Sequence, residues 1–343
     1  MPHIQTPSTA SRYEGDVPDG LIEHIRSHVE EFGLPVDASG ARLTVRYADS
    51  EVALQAGRAS LDVTITAGTE ISLHKTRESV IYLLDHVFPQ ASASMAWSGV
   101  DTGRRHPPNF HFASVSGVRR VSANFMRIEM DCDAIAALSS GGMHFSLLLP
   151  PKGHAPVWPA LNAMGRTTWP DGDDALHRAA YTFVDLDEAA GRFTFDLFEH
   201  DGGRTTQWAR AVKPGAVVGI AGPGGGDFPQ GDRLFMAGDE TAIPAIRRIL
   251  AASPDTRQGT VFIETGDPAD RCDLPRPASI DVHWTERGTE PDLLTRIKET
   301  TLPADETFVW VAAEQSLVRA ARDHFRKSGV ARTSCYFSAY WTR

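Results

Sequence analysis

The stretch Leu-Phe-Met-Ala-Gly-Asp-Glu-Thr-Ala-Ile-Pro-Ala-Ile-Arg-Arg-Ile-Leu, residues 234–250, decides the fold of the last third of this 343-residue chain. It opens with an apolar run too short for a helix, breaks at Gly238, and continues with apolar residues at the spacing of one helical face. Pro244 suits the first turn of a helix, where its missing N–H costs nothing, and Thr241 can cap the free amides before it. The pattern predicts a strand, a tight turn and a helix.

A turn of this kind directs unpaired backbone N–H groups at one point, so it can bind a phosphate or the edge of a flavin. Asp239 and Glu240 argue against a bare anion site, because carboxylates repel phosphate. Taken alone, a strand–glycine–helix junction is more often plain α/β architecture than a nucleotide site. The function of this turn therefore depends on what the rest of the chain carries.

Short apolar runs and helical patterns alternate from this stretch to the carboxyl end. We predict strands at 234–237, 259–265, 280–284, 308–312 and 333–340, and helices at 242–251, 291–298 and 315–327. This alternation favours an open parallel sheet, in which ligands bind beyond the carboxyl ends of the strands. Residues 229–343 are accordingly predicted to form a nucleotide-binding α/β domain.

Upstream, residues 109–228 are dominated by short strands. We predict strands at Arg120–Met130, Phe145–Leu149, Ala180–Val184, Arg192–Phe198 and Ala216–Ile220, a helix at Thr206–Val212, and a Pro/Gly/Trp-rich excursion at Pro150–Asp174. Alternation along the fourth strand places Phe193, Phe195 and Leu197 in a core. Many short strands with one small helix indicate a closed antiparallel β-barrel.

The first 95 residues have the pattern of a small α+β domain. We predict a helix at Leu21–Phe32, strands at Arg42–Tyr47, Ala59–Ile65 and Glu70–Leu73, and a closing helix at Ser79–Val87. A connecting stretch follows at Pro89–Pro108, and its residues 96–108 are predicted to be the linker to the next domain. His24 and His28 are four residues apart on the first helix, yet no third metal ligand accompanies them, so solvated histidines are the favoured interpretation. No metal site is predicted.

Composition excludes several classes of function. A net charge of −10 disfavours a nucleic-acid binder and requires a local basic pocket for any anionic ligand. No apolar run is long enough to span a bilayer, and Met1–Gln5 lacks the features of a signal peptide, which predicts a cytoplasmic protein. Three dispersed cysteines, Cys132, Cys272 and Cys335, indicate neither disulfides nor a thiolate-bound cluster, so redox chemistry needs an organic cofactor.

From about Phe110 to Trp341 the chain resembles the siderophore-interacting proteins, flavin-dependent ferric-siderophore reductases with a ferredoxin-reductase-like fold. That family carries His-x-x-Gly-Pro-Ala-Ser-x-Trp-Ala, Gly-Pro-x-Gly, Ala-Gly-Asp-Glu-Thr-Ala-x-Pro-Ala-Ile, Trp-x-Ala-Gly-Glu and Gly-Tyr-Trp, in this order. The corresponding stretches here are His200–Ala209, Gly222–Gly225, Ala237–Ile246, Trp310–Glu314 and Ala339–Trp341. The third is a full match. The first domain is similar to a family of unknown function that is found fused ahead of such reductases.

The resemblance implies FAD and either NADH or NADPH as cofactors. Thr182 would meet the flavin N5 as the catalytic residue, the helix after Gly203 would take the pyrophosphate, and Trp208 would anchor that helix on the barrel. Without the family, these are β-forming residues and an ordinary capped helix. The residues implied to bind cofactor are Tyr181, Thr182, His200, Gly203, Arg204, Thr205, Thr206, Trp208, Gly238, Asp239, Glu240, Thr241, Ala242, Glu314, Tyr340 and Trp341.

Tyr181-Thr182 matches a Tyr-Thr pair of the family, and the chain departs from the family pattern beside it. Arginines that the family carries two residues before and two after this pair are Ala179 and Val184 here, and Asp185 follows. Their loss would remove charge-assisted bonds to the flavin phosphate, which Arg178 or Arg204 could replace. Two family glycines are also replaced, by alanines at 313 and 339.

The function implied is an NAD(P)H-dependent ferric-siderophore reductase. Cations that could meet the siderophore are Lys152, Arg166, Arg204 and Arg343, and those that could meet a ribose phosphate are Arg271 and Arg287. Two alternatives of other classes stay open: a flavin-free siderophore-binding protein, and a regulatory or scaffold protein whose first domain recognises an unknown partner. A reductase with a different acceptor, such as another ferric chelate or a quinone, also stays open. Deleting residues 1–95 would spare activity in a reductase and abolish partner binding in a scaffold.

Overall fold

The computed structural model describes residues 6–31, 34–101, 103–226, 228–303 and 307–342. They form two compact units. The first unit holds the residues up to Phe110 together with Pro150–Leu176, and the second holds His111–Leu149 together with the residues from His177 onward. The limits predicted for the three domains, at residues 95, 108 and 228, stay predictions.

The described strands are β1 (Ser8–Glu14), β2 (Val36–Ser39), β3 (Arg42–Arg46), β4 (Ser50–Ala56), β5 (Ser60–Ala67), β6 (Phe110–Arg120), β7 (Phe125–Asp131), β8 (His144–Leu149), β9 (Ala160–Leu161), β10 (Thr167–Thr168), β11 (His177–Asp187), β12 (Arg192–Phe198), β13 (Val217–Gly224), β14 (Arg233–Gly238), β15 (Gln258–Thr265), β16 (Ile280–Glu286), β17 (Thr307–Glu314) and β18 (Cys335–Trp341). The described α-helices are α1 (Leu21–Glu31), α2 (Glu70–Val87), α3 (Pro89–Ser94), α4 (Ile135–Leu138), α5 (Arg204–Ala211), α6 (Ile243–Ala251), α7 (Leu293–Glu299) and α8 (Gln315–Lys327).

The first unit contains an antiparallel sheet in the order β1-β5-β4-β3-β2, with α1 and α2 packed against it. Their shared core includes Ile25, Leu61 and Leu84, all nearly inaccessible to solvent. This confirms the small α+β domain. The helix predicted from Leu21 is confirmed as far as Glu31, while Phe32 lies outside the described residues.

Two local predictions in this unit are wrong. The predicted strand Glu70–Leu73 is the first turn of α2, because the Thr69 side chain accepts a hydrogen bond from the Ser72 amide and so caps a helix there. The connecting stretch predicted from Pro89 begins instead with α3, since proline fits the first turn of a helix.

The excursion predicted at Pro150–Asp174 packs within the first unit, against α2. The guanidinium of Arg77 donates to the carbonyl of Gly165 at 2.9 Å, and His74 Nε2 lies 3.1 Å from Thr167 Oγ1. Arg77 and His74 are both buried, so these are interior contacts. Sequence alone gave no sign that α2 holds this excursion.

In the second unit, six strands close into an antiparallel barrel in the order β11-β12-β7-β6-β13-β8, which confirms the predicted barrel. Phe193, Phe195 and Leu197 are buried in its core, as the alternation predicts. The single strand predicted at Arg120–Met130 is wrong: a hairpin separates β6 from β7, closed by the Val121 amide donating to the Phe125 carbonyl.

The remaining strands of this unit form a parallel sheet in the order β16-β15-β14-β17-β18, with helices covering both faces. Neighbouring residues on β14 point to opposite faces, so Met236 packs with Ile246 in one core while Phe235 packs with Phe325 in the other. The parallel α/β domain is therefore confirmed, and its strand carboxyl ends share one edge.

Among the described residues, no helix has both the length and the apolar character needed to cross a bilayer. The same residues contain no group of three or more His, Cys, Asp or Glu side chains arranged to hold a metal ion.

Candidate functional site

A cavity of about 950 Å³ lies in the second unit between the barrel and the carboxyl edge of the parallel sheet. We call it the first cavity. Its walls come from β8, β11, the start of α5, the turn after β14, and β18. Aromatic side chains form much of its surface, notably Phe198, Tyr340 and Trp341. A cavity of this volume and lining can hold a planar organic cofactor.

The start of α5 forms one end of the first cavity. Gly203 is its N-cap residue, and no side chain caps the helix. A Cβ on Gly203 would lie 2.6 Å from His200 Cε1, so any larger residue here would require the His200 ring to shift. The next residue but one, Thr205, is buried and its Oγ1 lies 3.0 Å from His177 Nε2. The amides of the first helical turn are therefore suited to an anionic group.

The electrostatics of the first cavity favour an anion at this end. Arg178 and Arg204 belong to the lining. The carboxylates among the described lining residues are Asp196 and Glu240, and each is paired with an arginine. Burial, with Arg204 nearby, lowers the pKa of His177, which is thus neutral at pH 7. This is the local basic pocket that an acidic chain needs for an anionic ligand.

The departures from the family pattern do not place a negative charge in the first cavity. Asp185 is largely exposed, accepts hydrogen bonds from Arg127 and Thr194, and is outside the lining, as is Val184. Ala179 does line the cavity, next to Arg178. Arg178 is thus the arginine of β11 that reaches the lining.

The Tyr181-Thr182 pair lies in the wall formed by β11. Burial raises the pKa of Tyr181 to about 12, and its ring packs 4.9 Å from that of Phe195. Thr182 Oγ1 is 3.0 Å from His144 Nδ1, and His144 Nε2 is 3.2 Å from the hydroxyl of Tyr340. Burial, reinforced by the charge of Arg248, lowers the pKa of His144 to about 4. A neutral imidazole thus connects the two hydroxyl groups.

Asp239 and Glu240, at the turn after β14, connect the carboxyl ends of the parallel strands. Asp239 accepts from the Glu314 amide on β17 at 3.0 Å and from the indole N–H of Trp341 on β18 at 2.7 Å. Glu240 accepts from the Gly266 amide after β15 at 2.9 Å and pairs with Arg287 after β16. Both acids are buried, and burial raises the pKa of Asp239.

The capping role predicted for Thr241 is wrong. Asp239 is the cap of the short helical turn before α6, and it accepts from the Thr241 amide at 3.0 Å. That amide is therefore already engaged, and the α5 start is the better anion site. Gly238 permits the tight turn, because a Cβ there would lie 2.7 Å from Ala242 Cβ and 2.9 Å from the carbonyl oxygen of Ala312.

A second cavity of about 540 Å³ lies at the carboxyl ends of β14 to β17. Its lining includes Asp239, Glu264, Arg287 and Glu314, and it shares Arg287 and Trp341 with the first cavity. Glu314 caps α8 by accepting from the Ser316 amide at 2.7 Å.

The predicted cofactor residues divide between these places. Those that line the first cavity are Tyr181, Thr182, His200, Gly203, Arg204, Thr205, Glu240, Thr241, Tyr340 and Trp341. Asp239, Glu314 and Trp341 line the second cavity. The predicted residues outside both linings are Thr206, Trp208, Gly238 and Ala242. Trp208 packs against the barrel core instead.

The predicted cations are more dispersed. Arg204 lines the first cavity and Arg287 lines both, whereas Arg271 lines neither. Lys152 and Arg166 belong to the first unit, and Arg343 lies outside the described residues. Sequence reasoning missed His144 and His177, because only the pairing of β11 with β8 and the packing of α5 bring them into the wall.

Two family models match the part of the chain that follows residue 113. Residues 114–227 match the siderophore-interacting FAD-binding domain, and residues 231–343 match the siderophore-interacting protein family. Ferric vibriobactin reductase ViuB of Vibrio cholerae is 27% identical over 234 residues, covering 65% of this chain and 86% of that protein. The NADPH-dependent ferric-chelate reductase of Escherichia coli is 29% identical over 249 residues, covering 69% and 94%.

Solved structures of siderophore-interacting and siderophore utilization proteins are also similar to this chain. The siderophore-interacting protein SipS from Aeromonas hydrophila is 25% identical with a TM-score of 0.58, covering 68% of this chain and 99% of that one. A siderophore utilization protein from T. fusca is 26% identical with a TM-score of 0.57, covering 68% and 93%.

Proposed function

Because residues 114–343 make this chain a member of the siderophore-interacting protein family, we propose that it is an FAD-dependent ferric-siderophore reductase driven by NAD(P)H. The observation that carries the proposal is the first cavity, whose walls contain the family's Tyr-Thr pair, the uncapped start of α5 and the carboxyl-terminal aromatic residues. No bulky side chain fills it, so its volume of about 950 Å³ is accessible to a ligand.

The residues present suit FAD. The amides at the start of α5, with Arg204 in that turn and Arg178 in the same lining, would hold the pyrophosphate, and the aromatic walls would flank the ring system. When bound, FAD accepts a two-electron hydride from a nicotinamide and passes single electrons to Fe³⁺. The flavin is needed because the nicotinamide gives up two electrons at once whereas Fe³⁺ accepts one.

The chain's own residues position the reacting groups and exclude water. His144 fixes the side chains of Thr182 and Tyr340, and we assign Thr182 the role of hydrogen-bonding partner at the reactive edge of the ring. Asp239 fixes the indole of Trp341 in the wall that the two cavities share. These contacts hold polar groups in place before any ligand arrives, which is how a site lowers a barrier at little reorganisation cost.

The substrate is a ferric siderophore. Hard oxygen donors bind Fe³⁺ tightly, and adding one electron weakens those bonds so that softer intracellular ligands take the iron. This function places the protein in the cytoplasm, where NAD(P)H is supplied.

The test is an anaerobic reduction followed by iron trapping. Purified full-length protein loaded with FAD is mixed with NADH or NADPH, the yellow flavin absorbance is followed, and ferric siderophores are then added with a colorimetric Fe²⁺ chelator. Bleaching followed by Fe²⁺ release supports the proposal. Loaded protein that bleaches with neither nucleotide contradicts the reductase function, and protein that takes up siderophore but no FAD supports the flavin-free alternative instead.

A further inference from the structure

The second cavity occupies the position in which parallel α/β sheets bind nucleotides, beyond the carboxyl ends of the strands. Under the proposed function, on which this inference rests, it would receive the nicotinamide coenzyme. NADPH differs from NADH by a phosphate on the 2′-oxygen of the adenosine ribose. Sites for NADPH supply an arginine to that phosphate, whereas sites for NADH present a carboxylate to the free hydroxyl.

Arg287 is the one lysine or arginine among the described residues that line the second cavity. Its Nε donates to Glu264 at 2.9 Å, and its two terminal nitrogens donate to the two oxygens of Glu240. The side chains of Glu264 and Glu240 are only 12% and 3% exposed, whereas that of Arg287 is 34% exposed, so water is excluded from these ion pairs mainly on the carboxylate side. Each nitrogen of the guanidinium therefore donates to a carboxylate of the protein, and the two carboxylates together offset its positive charge.

The rest of the lining is acidic. Glu290, Asp292 and Glu314 add three carboxylates to those of Asp239 and Glu264. Hydrogen bonds from Thr295 lower the pKa of Asp292, which keeps that carboxylate ionised at neutral pH. A phosphate carries a charge of about −1.5 to −2 at pH 7, so it would meet repulsion here without a compensating cation.

We propose that the sequestration of Arg287 by Glu240 and Glu264 makes this protein select NADH over NADPH. A 2′-phosphate would have to share Arg287 with Glu240 and Glu264 or displace it from them. Glu240 is buried and Glu264 is only 12% exposed, so breaking these ion pairs is costly. The free 2′-hydroxyl of NADH requires no such rearrangement, since it can donate to a carboxylate.

Equilibrium binding tests this selection without turnover. NAD⁺ and NADP⁺ are titrated calorimetrically into the full-length, FAD-loaded protein. We expect NAD⁺ to bind at least about ten-fold more tightly. Equal binding, or tighter binding of NADP⁺, overturns the selection while leaving the reductase function intact. Binding of neither nucleotide overturns both the selection and the proposed use of nicotinamide.

Charge-neutralising variants identify the cause. Glu264→Gln keeps an acceptor for Arg287 Nε but removes one charge, and it should narrow the preference for NAD⁺ by about three-fold or more. Glu290→Gln, at an exposed position of the same cavity, should act in the same direction and serves if Glu264→Gln does not fold. The matched control is Asp281→Asn, exposed near the amino end of β16 and outside both linings, which should leave the ratio unchanged. An unchanged ratio in both cavity variants overturns the electrostatic explanation.

Discussion

The indole N–H of Trp341 donates to Asp239 Oδ2 at 2.7 Å, which connects the last strand of the sheet to the turn after its central strand. Asp239 also accepts from the amides of Thr241 and Glu314, so both of its oxygens are occupied by donors. An ionised aspartate can satisfy all of these donors at once, and a neutral amide cannot.

Asp239→Asn should therefore destabilise the second unit. One of its two side-chain positions becomes an NH₂ group that faces N–H donors, which leaves buried groups unsatisfied at about 1–3 kcal/mol. We expect a lower thermal midpoint and a red shift of tryptophan emission. Trp341→Phe is the matched control, since it removes one donor but leaves the other contacts of Asp239 intact. Stability equal to the wild type in Asp239→Asn would show that these bonds contribute little.

Removing positive charge from the start of α5 should weaken FAD binding. Arg204→Gln and Arg178→Gln each take a cation from the lining of the first cavity, and we expect about ten-fold lower affinity for each, equivalent to about 1.4 kcal/mol. Quenching of FAD fluorescence measures the affinity. Arg119→Gln, on an exposed arginine paired with Glu129 and outside the lining, is the control. Unchanged affinity in both cavity variants would place the pyrophosphate elsewhere.

His144 should affect the reaction through the groups it holds. His144→Phe keeps an aromatic ring but leaves the hydroxyls of Thr182 and Tyr340 without their shared partner. We expect FAD to stay bound while flavin reduction by NADH slows by about ten-fold, a typical share for a positioned polar group. Stopped-flow absorbance measures that rate.

The control for this variant is His283→Phe, in which the ring stacks on Phe262 outside both cavities. Because the pKa of His144 is about 4, its ionisation should not shape the wild-type rate near neutral pH. A wild-type reduction rate in His144→Phe would show that Thr182 and Tyr340 need no such support.

The first unit should lose stability on acidification through His74. Burial, aided by Arg77 and Arg104, lowers the pKa of His74 from 6.5 to about 4. Between these values the unfolded chain binds a proton that the folded chain does not, so the free energy of unfolding falls as pH falls from 6.5 towards 4. One pKa unit corresponds to about 1.4 kcal/mol, so the full loss is a few kcal/mol.

Urea unfolding at several pH values across that window measures the effect. His74→Gln should flatten the dependence, because it removes the titrating group. The control is His154→Gln, in which the histidine is exposed. An equal pH dependence in His74→Gln and the wild type would mean that other groups cause the loss.

Arg77 should control how firmly the excursion is held. Arg77→Met removes the donor to the Gly165 carbonyl, and we expect trypsin to cleave several-fold faster after Lys152, which lies in the exposed part of the excursion. Arg46→Met, at an exposed arginine paired with Glu51, should leave the cleavage rate unchanged. These point variants are cleaner than deleting residues 1–95, which would remove α2 and with it the support of the excursion. An unchanged cleavage rate in Arg77→Met would mean that other contacts suffice.

The sequence predicted the elements whose apolar pattern reflects a single local periodicity. Arg192–Phe198 is an example, because alternation and burial coincide along it. Glu70–Leu73 failed because four residues can alternate like a strand and still begin a helix once Thr69 caps it. Periodicity in so short a segment does not distinguish the two.

The candidate site was predictable where a contiguous motif carries it, as at the Gly238 turn. Contacts between distant residues were not. His144 meets Thr182 across 38 positions and Tyr340 across 196, and Arg287 meets Glu240 across 47. From the sequence, Asp239 and Glu240 were expected to repel an anion. In the fold, Asp239 binds Trp341 and Glu240 pairs with Arg287, so the two acids hold neighbouring strands together.

We propose that FAD occupies the first cavity, and a direct binding titration tests this. FAD is added to flavin-free protein of the wild type, of Ala339→Trp, which places a bulky ring in the lining, and of Ala331→Trp, an exposed position outside it. We expect saturation at one FAD per chain in the wild type and in Ala331→Trp, and affinity weaker by about ten-fold or more in Ala339→Trp. Folded wild-type protein that binds no FAD, or Ala339→Trp that binds it as tightly as the wild type, would contradict the claim.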